Sequence, residues 1–103
     1  MTPRTILIVD DDEDLRSTLV EQLELCEEFD LLQEATAAKG IQAARNSMVD
    51  LTIMDVGLPD MDGREAVKLL RKGGYRAPII MLTAQDTDSD TILGLEAGAN
   101  DYV

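Results

Sequence analysis

Ile6-Leu7-Ile8-Val9-Asp10-Asp11-Asp12 and Leu51-Thr52-Ile53-Met54-Asp55 decide the fold of this chain: each is a short apolar run that stops abruptly at an acid. A brief apolar run rich in β-branched residues suits a strand covered on both faces, as in a parallel sheet. Ile79-Ile80-Met81-Leu82 repeats the pattern after Pro78 and stops at Thr83, and Phe29 to Leu32 supplies a further strand. Between the strands the apolar spacing turns helical. Leu15, Leu19, Leu23 and Cys26 mark a first helix behind the anions Asp12, Glu13 and Asp14, which suit a helix N-terminus. Ala37, Ile41, Ala44 and Met48 mark a second helix ending before Val49, and Ala66, Val67 and Leu70 a third, closed by Gly73-Gly74. A fourth is expected around Ile92 to Ala97. Strands alternating with helices through short loops predict an α/β fold, a doubly wound parallel sheet with helices on both faces. In such sheets ligands bind beyond the carboxyl ends of the strands. Asp10, Asp11, Asp55 and Thr83 all fall at that edge.

Composition narrows what such a site can do. At 103 residues the chain is one small domain, and its apolar share of 45% is enough for a core. Nine Lys and Arg against twenty-one Asp and Glu give a formal net charge of −12, which disfavours direct contact with a nucleic-acid backbone and favours cations or basic partner surfaces. No His is present and Cys26 is the single cysteine, so Cys/His zinc sites and an internal disulfide are excluded and a reducing cytosol is the natural setting. After Met1-Thr2-Pro3-Arg4 only four apolar residues precede the acids once Thr5 is passed, too few for a signal peptide or a membrane span.

Adjacent parallel strands bring Asp10, Asp11 and Asp55 within a few ångströms of one another. Two unit charges ~4 Å apart repel by roughly 4 kcal/mol at an effective dielectric near 20, so the cluster must be protonated, hydrated or neutralised by a cation. An all-oxygen donor set selects a hard cation, and Mg²⁺ fits best because it accepts a few carboxylates while keeping waters and a phosphate oxygen. A carboxylate beside such an ion can attack phosphorus to give an acyl phosphate. Thr83 offers a hydroxyl that could donate to a phosphoryl oxygen. The lysines, Lys39, Lys68 and Lys72, all fall on helices, so none stands near a fifth strand.

Blander explanations compete with each of these. Asp10 to Asp12 could be a solvated turn that caps the first helix, Asp55 a turn-forming acid before Gly57 and Pro59, and Thr83 a strand terminus. The simultaneous placement of four residues at one sheet edge favours the site. Asp10, Asp12, Asp14 and Glu21 match positions of a calcium loop, but Leu15 stands where Gly is needed. Asp60-Met61-Asp62-Gly63 is better taken as a turn with a helix cap. Cys26 and the methionines at 48, 54 and 81 are expected in the core.

Four ordered stretches then resemble the receiver domain of bacterial two-component response regulators: Ile6 to Asp12, Asp55 with Leu58-Pro59-Asp60-Met61-Asp62-Gly63, Pro78 to Ala84, and Gly94-Leu95-Glu96-Ala97-Gly98-Ala99-Asn100-Asp101-Tyr102. The resemblance implies a flavodoxin-like five-stranded sheet of order 2-1-3-4-5, the order known for that fold class. It implies Asp55 as phosphoacceptor, Asp11 as direct Mg²⁺ ligand, Asp10 as a ligand through water and the Gly57 carbonyl as a further ligand. Thr83 would be the switch hydroxyl and Tyr102 the switch aromatic. The phosphodonor would be a sensor histidine kinase or a phosphotransfer protein. The domain would then be a phosphorylation-regulated switch that catalyses only its own phosphorylation and dephosphorylation, not a turnover enzyme.

Residues 91–102 look most like regulators with a winged-helix DNA-binding output domain, so DNA and transcription would be reached only through a domain outside these residues. The resemblance also implies a cytoplasmic protein with no membrane contact. Residues 1–103 are expected to form a receiver domain truncated at its C-terminus, with strand five only begun and the last helix and the family's strand-five lysine absent. That leaves apolar surface beside strand four and implies self-association, homodimers included. The alternative is a phosphorylation-independent interaction module.

Overall fold

Each helix starts where a side-chain oxygen can take up a free backbone N–H. The computed structural model, which describes residues 3–26, 28–82 and 98–103, begins with β1 (Arg4–Val9), followed by α1 (Glu13–Glu24), whose N-cap Asp12 accepts from the Leu15 amide. β2 (Phe29–Glu34) leads to α2 (Ala37–Asn46), capped by Thr36, and β3 (Leu51–Asp55) leads to α3 (Gly63–Lys72), capped by Asp62. β4 (Ile79–Leu82) and the two residues of β5 (Asp101–Tyr102) complete the sheet. The α3 helix ends at Gly73, and the next residue, Gly74, has φ +96°, a conformation that spares glycine the usual side-chain clash. The expected fourth helix lies outside the described residues.

The sheet is parallel throughout, in the order β2-β1-β3-β4-β5. Because the chain steps one way from β1 to β2 and the other way from β2 to β3, right-handed crossovers put α1 and α2 on opposite faces. On one face Leu7, Val9, Met54, Ile79 and Met81 pack with Ala37, Ile41 and Ala44 of α2 and with Ala66, Val67 and Leu70 of α3. Close packing there demands small residues. A Cβ at Gly40 would stand 2.6 Å from a Val9 methyl, and one at Gly63 would stand 2.0 Å from the Asp55 carbonyl oxygen.

The other face is thinner. Ile6 and Ile8 are buried, yet Ile53, Ile80 and Leu82 are only partly covered, and α1 buries none of its side chains fully. Two core expectations fail here. Cys26 is exposed because α1 ends at Glu24, before the apolar stripe reaches it. Met48 is 92% exposed because α2 stops at Asn46 and the extended Ser47 breaks the helical spacing, whereas Met54 and Met81 are fully buried as expected.

Arg71 fastens the lower end of the sheet. Its guanidinium donates to the carbonyls of Tyr75, Ala77 and Gly98 and to Asn100 Oδ1, which also accepts from the Ile79 amide at 2.9 Å. The return into β5 is therefore hydrogen-bonded to the start of β4. Thr52, buried in β3, shares a 2.7 Å hydrogen bond with the Tyr75 hydroxyl. Among the described residues no helix is long and apolar enough to cross a membrane.

Gly63→Ala is expected to lower unfolding free energy in urea by about 2–3 kcal/mol, since the new methyl must displace backbone. Gly57→Ala, whose Cβ would meet nothing closer than 4.0 Å, should leave the midpoint nearly unchanged.

Candidate functional site

The β1–β3 register pairs Val9 with Met54, so the next residues, Asp10 and Asp55, leave neighbouring strands side by side. With Asp11 they form a cluster in which one oxygen from each carboxylate lies within 4.8 Å of the others. The three differ in exposure: Asp10 is 1% exposed, Asp55 is half-buried and Asp11 faces solvent. Asp10 Oδ1 accepts the Asp12 amide at 2.9 Å. Asp10 Oδ2 is buried with no hydrogen-bond partner among the described residues. An orphaned buried oxygen on a carboxylate that clusters with two others fits a site for a hard cation.

Electrostatics tell the same story. Asp55 is pushed up to about 6, first by burial and then by the charge of Asp10, against a lowering hydrogen bond from the Gly57 amide. Asp10 is also raised, again chiefly by burial, with the Asp12 amide opposing it and the charges of Asp11 and Asp12 adding to it. Without a cation Asp55 keeps its proton up to about pH 6, where an ordinary Asp has already released it.

The loop after β3 is fixed at several points. Val56 donates to the Leu82 carbonyl and Gly63 to the Val56 carbonyl, while Gly57 and Asp62 form an antiparallel bridge. Asp62 accepts the Arg64 amide at 2.8 Å and pairs with its guanidinium at 2.7 Å, which holds its carboxyl below the usual range. That bears out the expected turn and cap. Asp60 reaches across the molecule, accepting the amides of Ala37 and Ala38 at 2.9 Å each. Those bonds hold its carboxyl low and join the loop to the N-terminus of α2.

Asp60 and Gly63 were visible in the sequence only as turn residues. Arg16 was missed altogether. Its guanidinium donates to the Asp10 carbonyl at 2.6 Å and to Gln33 Oε1 at 3.3 Å, placing a cation behind the carboxylate cluster. A basic residue early in a helix runs against the helix dipole, and that mismatch among Asp12, Glu13 and Asp14 was the available signal.

Of the residues expected at the site, Asp10, Asp11 and Asp55 come together, with Gly57 two residues along the loop from Asp55. Thr83 lies outside the described residues, as does the side chain of Tyr102, whose backbone belongs to β5. The lysines stand where expected, Lys39 on α2 and Lys68 and Lys72 on α3.

The profile of the response regulator receiver domain matches residues 6–103. The alkaline phosphatase synthesis transcriptional regulatory protein PhoP of Bacillus subtilis (strain 168) is 39% identical over 100 residues, 97% of this chain and 41% of PhoP. The transcriptional regulatory protein CpxR of Escherichia coli (strain K12) is 40% identical over 98 residues, 95% of this chain and 41% of CpxR. This chain thus spans about two fifths of the length of these curated relatives. Among solved structures, a response regulator from Chloroflexus aurantiacus J-10-fl superposes with TM-score 0.91 at 38% identity, covering 98% of this chain and 84% of that one. The BeF3-activated N-terminal receiver domain of Klebsiella pneumoniae RstA gives 0.90 at 31%, covering 97% and 84%.

The raised Asp55 carries a signed consequence. Its folded pKa exceeds the unfolded one, so its contribution to stability is full below about pH 4 and is lost as pH rises through about 6. In chelator, Asp55→Asn should therefore gain Tm relative to the parent between about pH 4.5 and about pH 7.5, by on the order of 10 °C for a penalty of roughly 2 kcal/mol. Thermal melts at the two pH values check this, and Mg²⁺ should raise the parent's Tm at the higher pH more than the variant's.

Proposed function

On the premise that this chain belongs to the response regulator receiver domain family, we propose that it is a phosphorylation-controlled switch whose phosphoacceptor is Asp55. Residues 1–103 are taken as receiver domain. One observation carries the assignment: the half-buried Asp55 carboxylate stands at the carboxyl end of β3 within 4.8 Å of Asp10 and Asp11. That arrangement suits an acid that must be shielded from bulk water yet reachable by an incoming phosphoryl group.

A Mg²⁺ ion would be held by Asp10, Asp11, Asp55 and the Gly57 carbonyl, and when bound it supplies the positive charge that lets an anionic phosphoryl group approach. The protein's own groups do the rest. Asp55 acts in its ionised form, one carboxylate oxygen forming a bond to phosphorus as the bond from phosphorus to the donor nitrogen breaks and the imidazole leaves. The buried Asp10 would face the ion beside the nucleophile, and Arg16, bonded to the Asp10 carbonyl, holds the β1 end in place. Hydrolysis of the acyl phosphate returns the carboxylate. Thr83 is proposed as the hydroxyl that registers the phosphoryl group and Tyr102 as the aromatic that responds to it.

The family implies a histidine kinase as partner. A sensor kinase or a phosphotransfer protein would deliver the phosphoryl group, and altered partner binding or dimerisation would pass the signal on. Two relatives are named as transcriptional regulatory proteins, which supports transcription as the output, exerted by a region outside this chain. The description of the Klebsiella relative as BeF3-activated supports the phosphoryl reading too, because beryllofluoride on a carboxylate imitates an acyl phosphate.

Incubation with acetyl phosphate and Mg²⁺ followed by intact-mass measurement should add one phosphoryl group to the parent. The adduct should disappear in hydroxylamine, in chelator and in Asp55→Asn. Persistence of the label in Asp55→Asn would sink the assignment.

A further inference from the structure

Residues 64–76 carry Arg64, Lys68, Arg71, Lys72 and Arg76 against the single acid Glu65, and residues 37–49 carry Lys39 and Arg45 with no acid. On a chain of net charge −12, positive charge is thus concentrated along α2, α3 and the turns that leave them. Several of these cations are committed: Arg64 to Asp62, Lys68 to Glu65, and Arg71 to three carbonyls and Asn100. Arg45 and Arg76 are exposed and, among the described residues, have no hydrogen-bond or ion-pair partner.

Both flank one groove. Helices antiparallel to the strands put their C-termini at the edge of the sheet opposite the carboxylate cluster. There the turns after α2 and α3 enclose about 350 Å³. Its lining is mixed: the buried Ala44, Val49 and Leu70 contribute to it, and so do the exposed Arg45, Arg76 and Met48. At 92% exposure Met48 is the most exposed large apolar side chain among the described residues. The neighbouring acid, Asp50, is occupied by the Thr5 amide at 2.7 Å.

We infer that this groove docks an acidic segment of a partner protein, with one aliphatic side chain against the exposed Met48 and flanking carboxylates paired with Arg45 and Arg76. The two halves of the groove select that chemistry together. A phosphate backbone would find no use for the exposed apolar side chain of Met48. A neutral apolar peptide would leave both guanidinium groups unmatched. A flexible exposed methionine adapts to more than one aliphatic shape. Exposed charge pairs set orientation and partner choice more than affinity, so the contact is weak and salt-sensitive. It lies away from Asp55 and stands whether or not that residue is phosphorylated.

The test is a titration of the ¹⁵N-labelled 103-residue protein with the synthetic peptide Glu-Glu-Leu-Glu-Glu at low salt. Amide shifts are expected at Arg45, Met48, Val49, Gly73 and Arg76, with the β1–α1 turn unmoved. Affinity should fall about ten-fold in the Arg45→Gln, Arg76→Gln double variant, whose exposed substitutions spare the core. Unmoved groove amides, equal shifts with Gln-Gln-Leu-Gln-Gln, or a stronger response to a short DNA duplex would each overturn the inference. So would groove shifts that follow protein concentration without peptide, which would give the groove to a second copy.

Discussion

The pairing of β1 with β3 is the constraint on which the rest of the molecule depends. With Val9 opposite Met54, the acids that follow each strand must share one small volume, and a one-residue slip would turn the core side chains of a strand to the wrong face. The register is held by apolar packing on the α2–α3 face, where Val9 presses against the bare backbone of Gly40 and Met54 lies in the same cluster. Hydrophobic burial therefore imposes the electrostatic cost. The amides of Asp12 and Gly57 offset it only in part, Arg16 reaches the Asp10 carbonyl rather than its carboxylate, and the orphaned Asp10 oxygen has no donor among the described residues.

Much of this was legible because strand periodicity and strand-end acids are local signals. The runs ending at Asp10 and Asp55 marked strands of a parallel sheet and placed three carboxylates at one edge, while the strand order came only from the family resemblance. Observed strands are longer than expected where polar residues join them, as Gln33 and Glu34 do in β2. What stayed hidden was tertiary. No spacing rule announces that Asp60 caps a helix twenty-odd residues upstream, or that Arg71 gathers carbonyls from the connection after α3 and from Gly98 before β5. Cys26 and Met48 failed for a simpler reason: a helical stripe was extended past a helix end that the sequence marks weakly, with Ser47 as the only break after α2.

Asp60 gives the site a mechanical connection as well as a chemical one. The loop from Asp55 to Gly63 carries Gly57 at one point and is tied to the first turn of α2 at another, while its far end is locked under α3 by the steric limit at Gly63. A change at Asp55 can thus reach α2 and α3 through bonds only a few residues long. Rigid anchorage at both ends makes two discrete arrangements more plausible than a gradual deformation.

The same carboxylates that weaken the ligand-free fold would be the source of affinity for the proposed cation. A cation that binds only the folded chain removes the repulsion and stabilises by mass action, so the free energy lost in holding Asp10 and Asp55 together returns on binding. Replacing the acids with neutral residues would yield a steadier but unresponsive protein. Stability set against function at one register position is the expected signature of a binding site built on a packed sheet, and here it coincides with the edge where the fold exposes strand ends to ligand. Charge is accordingly segregated along the molecule: Asp10, Asp11 and Asp55 gather at one edge of the sheet, and the guanidinium groups of Arg45 and Arg76, without partners among the described residues, lie at the opposite edge, where they do not compete for those acids.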